Sequence, residues 1–166
     1  MPETIIALDL ATKCGFAVLR GRKRVESGRW NLMAKPRGVL NHRGRRWWNL
    51  DHQLSALIEK HHPDVLAYES VRRHVGTTAA HVYGGLVSVL ELMGFEEARD
   101  GGTPPPLLPV EISTWKKATV GKGNALKPDV MRWVKRHFRY AAANDDEADA
   151  LAIAEAVRRI REGEYS

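Results

Sequence analysis

The stretch from Thr4 to Leu10 constrains the fold of this chain more than any other. It reads T-I-I-A-L-D-L, and apolar residues on both faces are typical of a strand buried on both sides of a sheet. The single charge in it belongs to Asp9, and an ionised carboxylate in apolar surroundings is costly unless it is paired or binds a cation. Taken alone, Asp9 is explained equally well as a strand-end aspartate bonded to backbone amides. Its interpretation therefore depends on other acidic residues in the chain.

Length and composition indicate one globular domain over residues 1–166. Hydrophobic residues make up 43% of the chain and charged residues 28%, which is globular rather than disordered. Lysine and arginine number 26 against 20 acidic residues, a formal net charge of +6 that favours a polyanionic partner.

The single cysteine, Cys14, excludes an internal disulfide and a cysteine-rich zinc site. A small apolar residue packed beside the first hairpin explains it better than a reactive thiol. No stretch approaches the roughly 18 apolar residues of a membrane span, and the N-terminus lacks a signal-peptide pattern. We therefore expect a soluble protein with no membrane partner, located in a reducing compartment such as the cytoplasm.

Hydrophobic periodicity predicts a three-stranded meander followed by alternating helices and strands. The predicted strands cover 5–10, 16–20, 24–32, 64–69 and 107–110, and the predicted helices 38–60, 77–93, 112–118, 127–138 and from 144 onward. Ser113 is the expected cap of the helix at 112–118. Small residues in the early turns of the 77–93 helix predict a close packing partner, either the sheet or a second subunit.

Two further acidic sites follow Asp9. Glu69 ends the predicted strand at 64–69, and the last helix opens with Asp145 and Asp146, followed by Asp149. Asp149 lies four residues from Asp145 and three from Asp146, so it shares a helix face with each of them. Favourable interaction with the helix dipole explains the first-turn acids, but it explains Asp149 less well because Asp149 lies beside the apolar stripe.

Carboxylates brought together in this way would repel one another unless cations bind among them. Hard oxygen ligands suit Mg²⁺ or Mn²⁺, and two such ions about 4 Å apart can support phosphodiester hydrolysis. The acidic residues therefore predict a metal-dependent site built from two strands and the last helix.

The ordered set of acids resembles that of the RuvC-type Holliday junction resolvases, members of the ribonuclease H-like superfamily, over nearly the whole chain. The resemblance includes residues 115–127, W-K-K-A-T-V-G-K-G-N-A-L-K, which are similar to the family's V-K-x-x-x-x-G-x-G-x-A-x-K segment. In that family the segment supplies lysines that contact DNA near the scissile phosphate, and Lys116 and Lys127 fall on those positions. Residues 146–154, D-E-A-D-A-L-A-I-A, are similar to the family's D-x-A-D-A-L-A-I-A.

The resemblance implies an α/β fold with a five-stranded mixed sheet, three antiparallel strands and then two parallel, and helices on both faces. It also implies a homodimer, which we expect to pair through the helix over Thr77–Met93 and to nick the two strands of a junction symmetrically in DNA recombination or repair. The implied ligands of two Mg²⁺ or Mn²⁺ ions are Asp9, Glu69, Asp146 and Asp149, with Asp145 as the rival of Asp146. The implied catalytic set adds Lys116 and Lys127 to these four carboxylates, and either lysine could position the scissile phosphate or neutralise developing charge.

Further basic residues lie in loops beside the acids, and we expect them to contact phosphates. The expected DNA-binding set is Arg72, Arg73, His74, Lys116, Lys117, Lys122 and Lys127. By contrast, Arg132, Lys135 and Arg136 are expected to form a solvated helix face.

The chain departs from the bacterial pattern in two places. Leu10 follows Asp9 where proline and glycine are usual, a variant more similar to the phage-encoded or prophage-like branch. Arg72 occupies the position where the bacterial family tends to place an aromatic wedge, so other branched DNA is a plausible substrate beside four-way junctions.

Two other functions compete with a resolvase. The first is a junction-binding module that does not cut, against which the intact set of acids argues. The second is a phosphotransferase of the actin and sugar-kinase type, which would need two related domains. The Gly121-Lys122-Gly123 loop is also no Walker motif, because glycine follows the lysine where serine or threonine is needed.

Overall fold

A computed structural model describes residues 1–34, 44–72 and 76–165, which form five strands and five helices. In chain order they are β1 (Thr4–Asp9), β2 (Lys13–Arg20), β3 (Lys23–Asn31), α1 (Arg45–His61), β4 (Val65–Ser70), α2 (Thr77–Arg99), β5 (Leu107–Glu111), α3 (Ile112–Val120), α4 (Lys127–Phe138) and α5 (Asp145–Arg161).

The five strands join in one mixed sheet with the order β3-β2-β1-β4-β5. The pairs β1–β2 and β2–β3 are antiparallel, whereas β1–β4 and β4–β5 are parallel. The predicted fold class, three antiparallel strands followed by two parallel ones, is confirmed. Because β1 and β4 are parallel neighbours, their carboxyl ends meet at the same edge of the sheet.

Alternation along β1 divides the apolar core into two layers. Ile5 and Ala7 are fully buried under α3, α4 and α5, while Ile6 and Leu8 are fully buried on the other face under α1 and α2. Cys14 belongs to the second layer and is completely buried, and this burial raises the pKa of its thiol. The prediction of a packed apolar cysteine is therefore confirmed.

Helix boundaries differ from the predictions in several places. The first helix was expected from residue 38, but α1 begins at Arg45, and residues 35–43 lie outside the described part of the chain. Helix α2 continues to Arg99 rather than ending near Met93. The expected capping role of Ser113 is wrong, because the residue that precedes α3 is Glu111 and no side chain caps this helix.

Helix α2 is largely uncovered in the single chain. Only Leu86 and Leu90 are buried, whereas Leu92 and Phe95 are 55% and 63% exposed. The sequence analysis anticipated no stretch of this kind, yet α2 is long and apolar enough to cross a membrane by length and composition alone. Core helices of soluble proteins, which are mostly buried, can have the same length and hydropathy.

Candidate active site

Three elements bring acidic side chains to the carboxyl edge of β1 and β4. Asp9 is the last residue of β1, and Glu69 follows Tyr68, the residue of β4 that pairs with Leu8 in the parallel register. Helix α5 starts beside them with Asp145 and packs across β1 and β2. Strand pairing and helix packing therefore place the predicted acids in one region of the molecule.

The close approach of α5 depends on Gly15 of β2. Gly15 is the antiparallel partner of Asp9, and a Cβ atom at this position would lie 1.9 Å from the backbone oxygen of Asp146 and 2.4 Å from its carbonyl carbon. No side chain fits at that distance, so glycine is required for the first turn of α5 to lie against the strand that neighbours Asp9.

Two polar side chains fix the start of α5. The Asn144 side chain accepts a hydrogen bond from the Glu147 amide at 3.0 Å, a regular N-cap. Glu147 is 1% exposed, and its carboxylate accepts hydrogen bonds from Ser27 Oγ at 2.6 Å, Tyr140 Oη at 2.8 Å and the Ala143 amide at 2.7 Å. Sequence reasoning had assigned this acid to the helix dipole. The structure shows it anchoring the helix start to β3 and to the preceding loop.

The acids perturb one another electrostatically. Burial raises the pKa of Asp9 well above its usual value, and the negative charges of Glu69, Asp149 and Asp146 raise it further. Burial, followed by the charge of Glu69, raises the pKa of Asp149 to about 7. Burial also raises the pKa of Glu69, although the hydrogen bond from Trp115 and the charges of Lys116 and Lys127 oppose the shift. The carboxylates of Asp9, Glu69 and Asp149 therefore lie in a part of the molecule that water solvates poorly.

Trp115 supports Glu69 from within the core. Its indole is fully buried, and Nε1 donates a hydrogen bond to Glu69 Oε2 at 3.0 Å. Trp115 is therefore a core residue and not a platform on which DNA bases could stack. The contact with Glu69 joins residues 46 positions apart, and no local sequence pattern could have predicted it.

Basic side chains already pair with the two acids that open α5. Lys127, at the start of α4, forms an ion pair with Asp145, which raises the pKa of the lysine and lowers that of the aspartate. Arg29 of β3, which the sequence analysis did not single out, pairs with Asp146 at 3.1 Å. Both acids thus have a cationic partner, and the choice between Asp145 and Asp146 as a metal ligand remains a prediction.

The other basic residues predicted to bind DNA lie around this region in different ways. Lys116 Nζ donates to the Ala125 carbonyl at 2.8 Å and so braces the 121–125 loop. Lys117 and Lys122 are exposed, and Arg72 is exposed and ion-paired with Glu111. Arg73 and His74 lie outside the described residues.

The acidic cluster fits a divalent cation in donor chemistry and charge. Its ligand atoms are carboxylate oxygens, and their mutual repulsion is the kind that a bound cation relieves. Within the described ranges, however, no group of three or more His, Cys, Asp or Glu side chains is arranged to hold a metal ion. Asp145 and Asp146 each hold a basic partner, Lys127 and Arg29, that would compete with a bound ion.

No family model matches the chain. Proteins named crossover junction endodeoxyribonuclease RuvC, from Chlamydia trachomatis serovars L2, L2b and A, are each 27% identical to it over 164 residues. The aligned region covers 93% of this chain and 90% of each relative. The predicted resemblance to RuvC-type proteins is confirmed, whereas the phage-like branch remains a prediction.

Solved structures share the fold along nearly the full chain. Thermus thermophilus RuvC in complex with a Holliday junction substrate superposes with a TM-score of 0.78 at 20% identity, covering 99% of this chain and 98% of that one. A second structure of Thermus thermophilus RuvC superposes with a TM-score of 0.73 at 19% identity and covers 98% of both chains. The yeast mitochondrial Holliday junction resolvase Ydc2 gives 0.71 at 17% identity, covering 97% of this chain and 80% of that one.

Proposed function

We infer that this chain, a relative of the RuvC enzymes in sequence and in fold, is a single-domain endonuclease that nicks four-way junctions symmetrically. The observation that carries this inference is the convergence of Asp9, Glu69 and the α5 acids at one edge of the sheet, where burial and neighbouring negative charges raise the pKa of Asp9 and of Asp149. The relatives are named for cutting crossover junctions, and one of the similar structures contains a Holliday junction. Resolution of branched DNA in the cytoplasm of a bacterial or phage-infected cell is the role we propose.

We assign Asp9 and Asp149 as the main ligands of two Mg²⁺ or Mn²⁺ ions, with Glu69 and Asp146 completing the set. Bound ions of this kind supply an activated water and stabilise the leaving oxygen in phosphodiester hydrolysis. The chain contributes fixed carboxylates: Trp115 holds Glu69 from the core, and Asn144 and Glu147 hold the helix that presents Asp146 and Asp149.

Lys127 is the residue we assign to the scissile phosphate. Its side chain is 67% exposed, and its positive charge acts on Asp9, Glu69 and Asp149. Lys116 is the second phosphate contact, because an ammonium group has three hydrogens and its bond to Ala125 uses one of them. The exposed Lys117 and Lys122, with Arg72, extend this positive surface toward the DNA.

The experiment that tests this function is a gel assay of an end-labelled mobile four-way junction with Mg²⁺ or Mn²⁺. We expect paired symmetric nicks that disappear with EDTA and with Asp9→Asn, purified in parallel to exclude a contaminating nuclease. A linear duplex, a three-way junction and a flap are run beside it. Equal cutting of flaps and three-way junctions would indicate a broader debranching nuclease, and tight binding with no cutting in either metal would leave a junction-binding module.

Separate replacement of Asp145 and Asp146 by asparagine should distinguish the two rivals. Because Asp146 acts electrostatically on Asp9, we expect Asp146→Asn to lower single-turnover nicking by about 10²-fold, in the range of lost metal-site interactions. Asp145→Asn should mainly release Lys127 and change the rate by a much smaller factor. The opposite order of effects would make Asp145 the ligand.

We further propose that the chain works as a homodimer that pairs through α2. Leu92 and Phe95 are exposed apolar residues on this helix, and a Cβ atom at Gly84 would meet nothing within 4 Å, so another helix has room to approach. We expect Leu92→Glu with Phe95→Glu to yield a monomer by sedimentation equilibrium. A double variant that keeps the mass of the wild-type assembly would contradict this interface.

A further inference from the structure

Helix α4 carries a row of basic side chains that leads away from the acidic cluster. Arg132, Lys135 and Arg136 follow one another at helical spacing on one face, Arg139 follows as the left-handed residue that ends the helix, and all four are exposed. We call this row the α4 track. The helix begins five residues before this row with Lys127, which is ion-paired with Asp145, so the start of α4 lies beside the catalytic residues proposed above.

The other end of the track opens into a basic pocket of about 460 Å³. The β2–β3 hairpin lines it with Arg22, Lys23 and Arg24, and the end of α4 with residues 137–140. No carboxylate is among the residues that line this pocket in the described part of the chain. A hairpin and a helix thus direct positive charge at the same concave surface.

Internal partners account for part of this charge. Arg22 forms an ion pair with Glu164 at 2.5 Å, and the Arg24 guanidinium lies 3.7 Å above the Tyr140 ring. The carboxyl end of α4 carries about half a negative charge, which favours nearby cations. Half a charge cannot balance a pocket that also holds Lys23 and Arg139, and within the described residues Lys23, Lys135 and Arg136 make no ion pair.

The length of the helix sets the reach of this surface. The twelve residues of α4 span about 18 Å, and successive base pairs of duplex DNA are about 3.4 Å apart, so the surface from Lys127 through the track to the pocket extends over about five base pairs. Exposed cations spaced along one helix face match a phosphate backbone, which carries a negative charge at every nucleotide.

We propose that the α4 track and the pocket beyond it bind the phosphate backbone of one duplex arm of the branched substrate, from the active site to about five base pairs away. This inference rests on the proposed function, because it takes branched DNA as the ligand. It revises the expectation that Arg132, Lys135 and Arg136 only keep a helix face solvated. Arg132 contributes least, since Asp129 pairs with it at 3.1 Å.

The test compares two double variants that remove the same charge. Lys135→Gln with Arg136→Gln alters the track, whereas Lys60→Gln with Arg161→Gln alters exposed cations at the ends of α1 and α5, outside the track, the pocket and the proposed dimer helix. Binding to a fluorescent four-way junction is measured by anisotropy in EDTA over a series of salt concentrations. For the track variant we expect about tenfold weaker binding near 0.15 M salt and a salt slope smaller by about 1.8, equivalent to two phosphates.

A second measurement locates the contact on the DNA. Neutral methylphosphonates placed four to six base pairs from the branch should weaken wild-type binding several-fold and leave the Lys135→Gln/Arg136→Gln variant unaffected. Binding by the Lys23→Gln variant should become insensitive only to the methylphosphonates that lie farthest from the branch. Equal salt slopes for the two double variants, or equal methylphosphonate effects on the wild type and the track variant, would overturn the proposal.

Nicking of the same junction with Mg²⁺ separates this inference from the proposed function. If the wild type does not nick, but the salt slope of the track variant is smaller than that of the wild type, the endonuclease assignment fails and the arm contact stands. If the wild type nicks and the two double variants bind alike, the arm contact fails and the endonuclease assignment stands.

Discussion

Substitution of Gly15 by alanine is expected to lower the nicking rate by about 10²-fold or more while the chain remains folded. The added Cβ atom would lie 1.9 Å from the backbone oxygen of Asp146, and backbone atoms cannot move aside as a flexible side chain can. The first turn of α5 must therefore shift away from β2, which displaces Asp146 and Asp149 from Asp9. A displacement of about 1 Å at a catalytic group is enough to cost about 10²-fold in rate.

The matched control is Gly94→Ala in α2. The nearest heavy atom to its added Cβ is that of Pro104 at 3.9 Å, an ordinary contact, and alanine favours a helix over glycine by about 1 kcal/mol. We expect this variant to nick at the wild-type rate and to melt at the same or a slightly higher temperature. Single-turnover rates on the four-way junction and circular dichroism are measured for both variants. A Gly15→Ala protein that is folded and cuts as fast as Gly94→Ala would refute the proposed role of Gly15.

The sheet and the acidic edge could be predicted because the information is local. Apolar runs on both faces identified β1 and β4, and each run ended on or next to an acid, Asp9 or Glu69. Parallel pairing then places both acids at one edge of the sheet, and this pairing followed from the family resemblance rather than from the pattern itself. The α5 acids could be recognised because Asp149 lies beside the apolar stripe and shares a helix face with the acids of the first turn.

The groups that hold these acids could not be predicted, because their partners are distant in the sequence. Ser27 and Glu147 are 120 positions apart, and Trp115 and Glu69 are 46 apart. A serine in a strand or a tryptophan in a short helix has many ordinary roles, and only packing selects one. The requirement for glycine at position 15 likewise comes from a distant segment, the backbone of α5.

Replacement of Asp149 by asparagine is expected to stabilise the metal-free protein, and the gain should grow between pH 4 and pH 8. The pKa of Asp149 is raised from 3.8 to about 7, so the folded state binds its proton more tightly than the unfolded state does. Its contribution to the free energy of unfolding is complete below pH 4 and is lost as the pH rises through about 7. Three pKa units correspond to at most about 4 kcal/mol, which relaxation and partial solvation reduce. Asparagine does not ionise, so the variant does not lose this stability.

Thermal melting of the wild type and of Asp149→Asn in EDTA across this pH range measures the gain in stability. The control is Asp51→Asn, at an exposed position of α1. The margin by which the melting temperature of Asp149→Asn exceeds that of the wild type should grow between about pH 4 and pH 7 and then level off, while the difference for Asp51→Asn stays constant. Mg²⁺ should raise the wild-type melting temperature more at pH 8 than at pH 5, because a cation competes with protons for the same carboxylates. The Asp149→Asn variant should lose most of that rise. If Mg²⁺ stabilises both proteins equally, Asp149 is not a ligand of the bound ion.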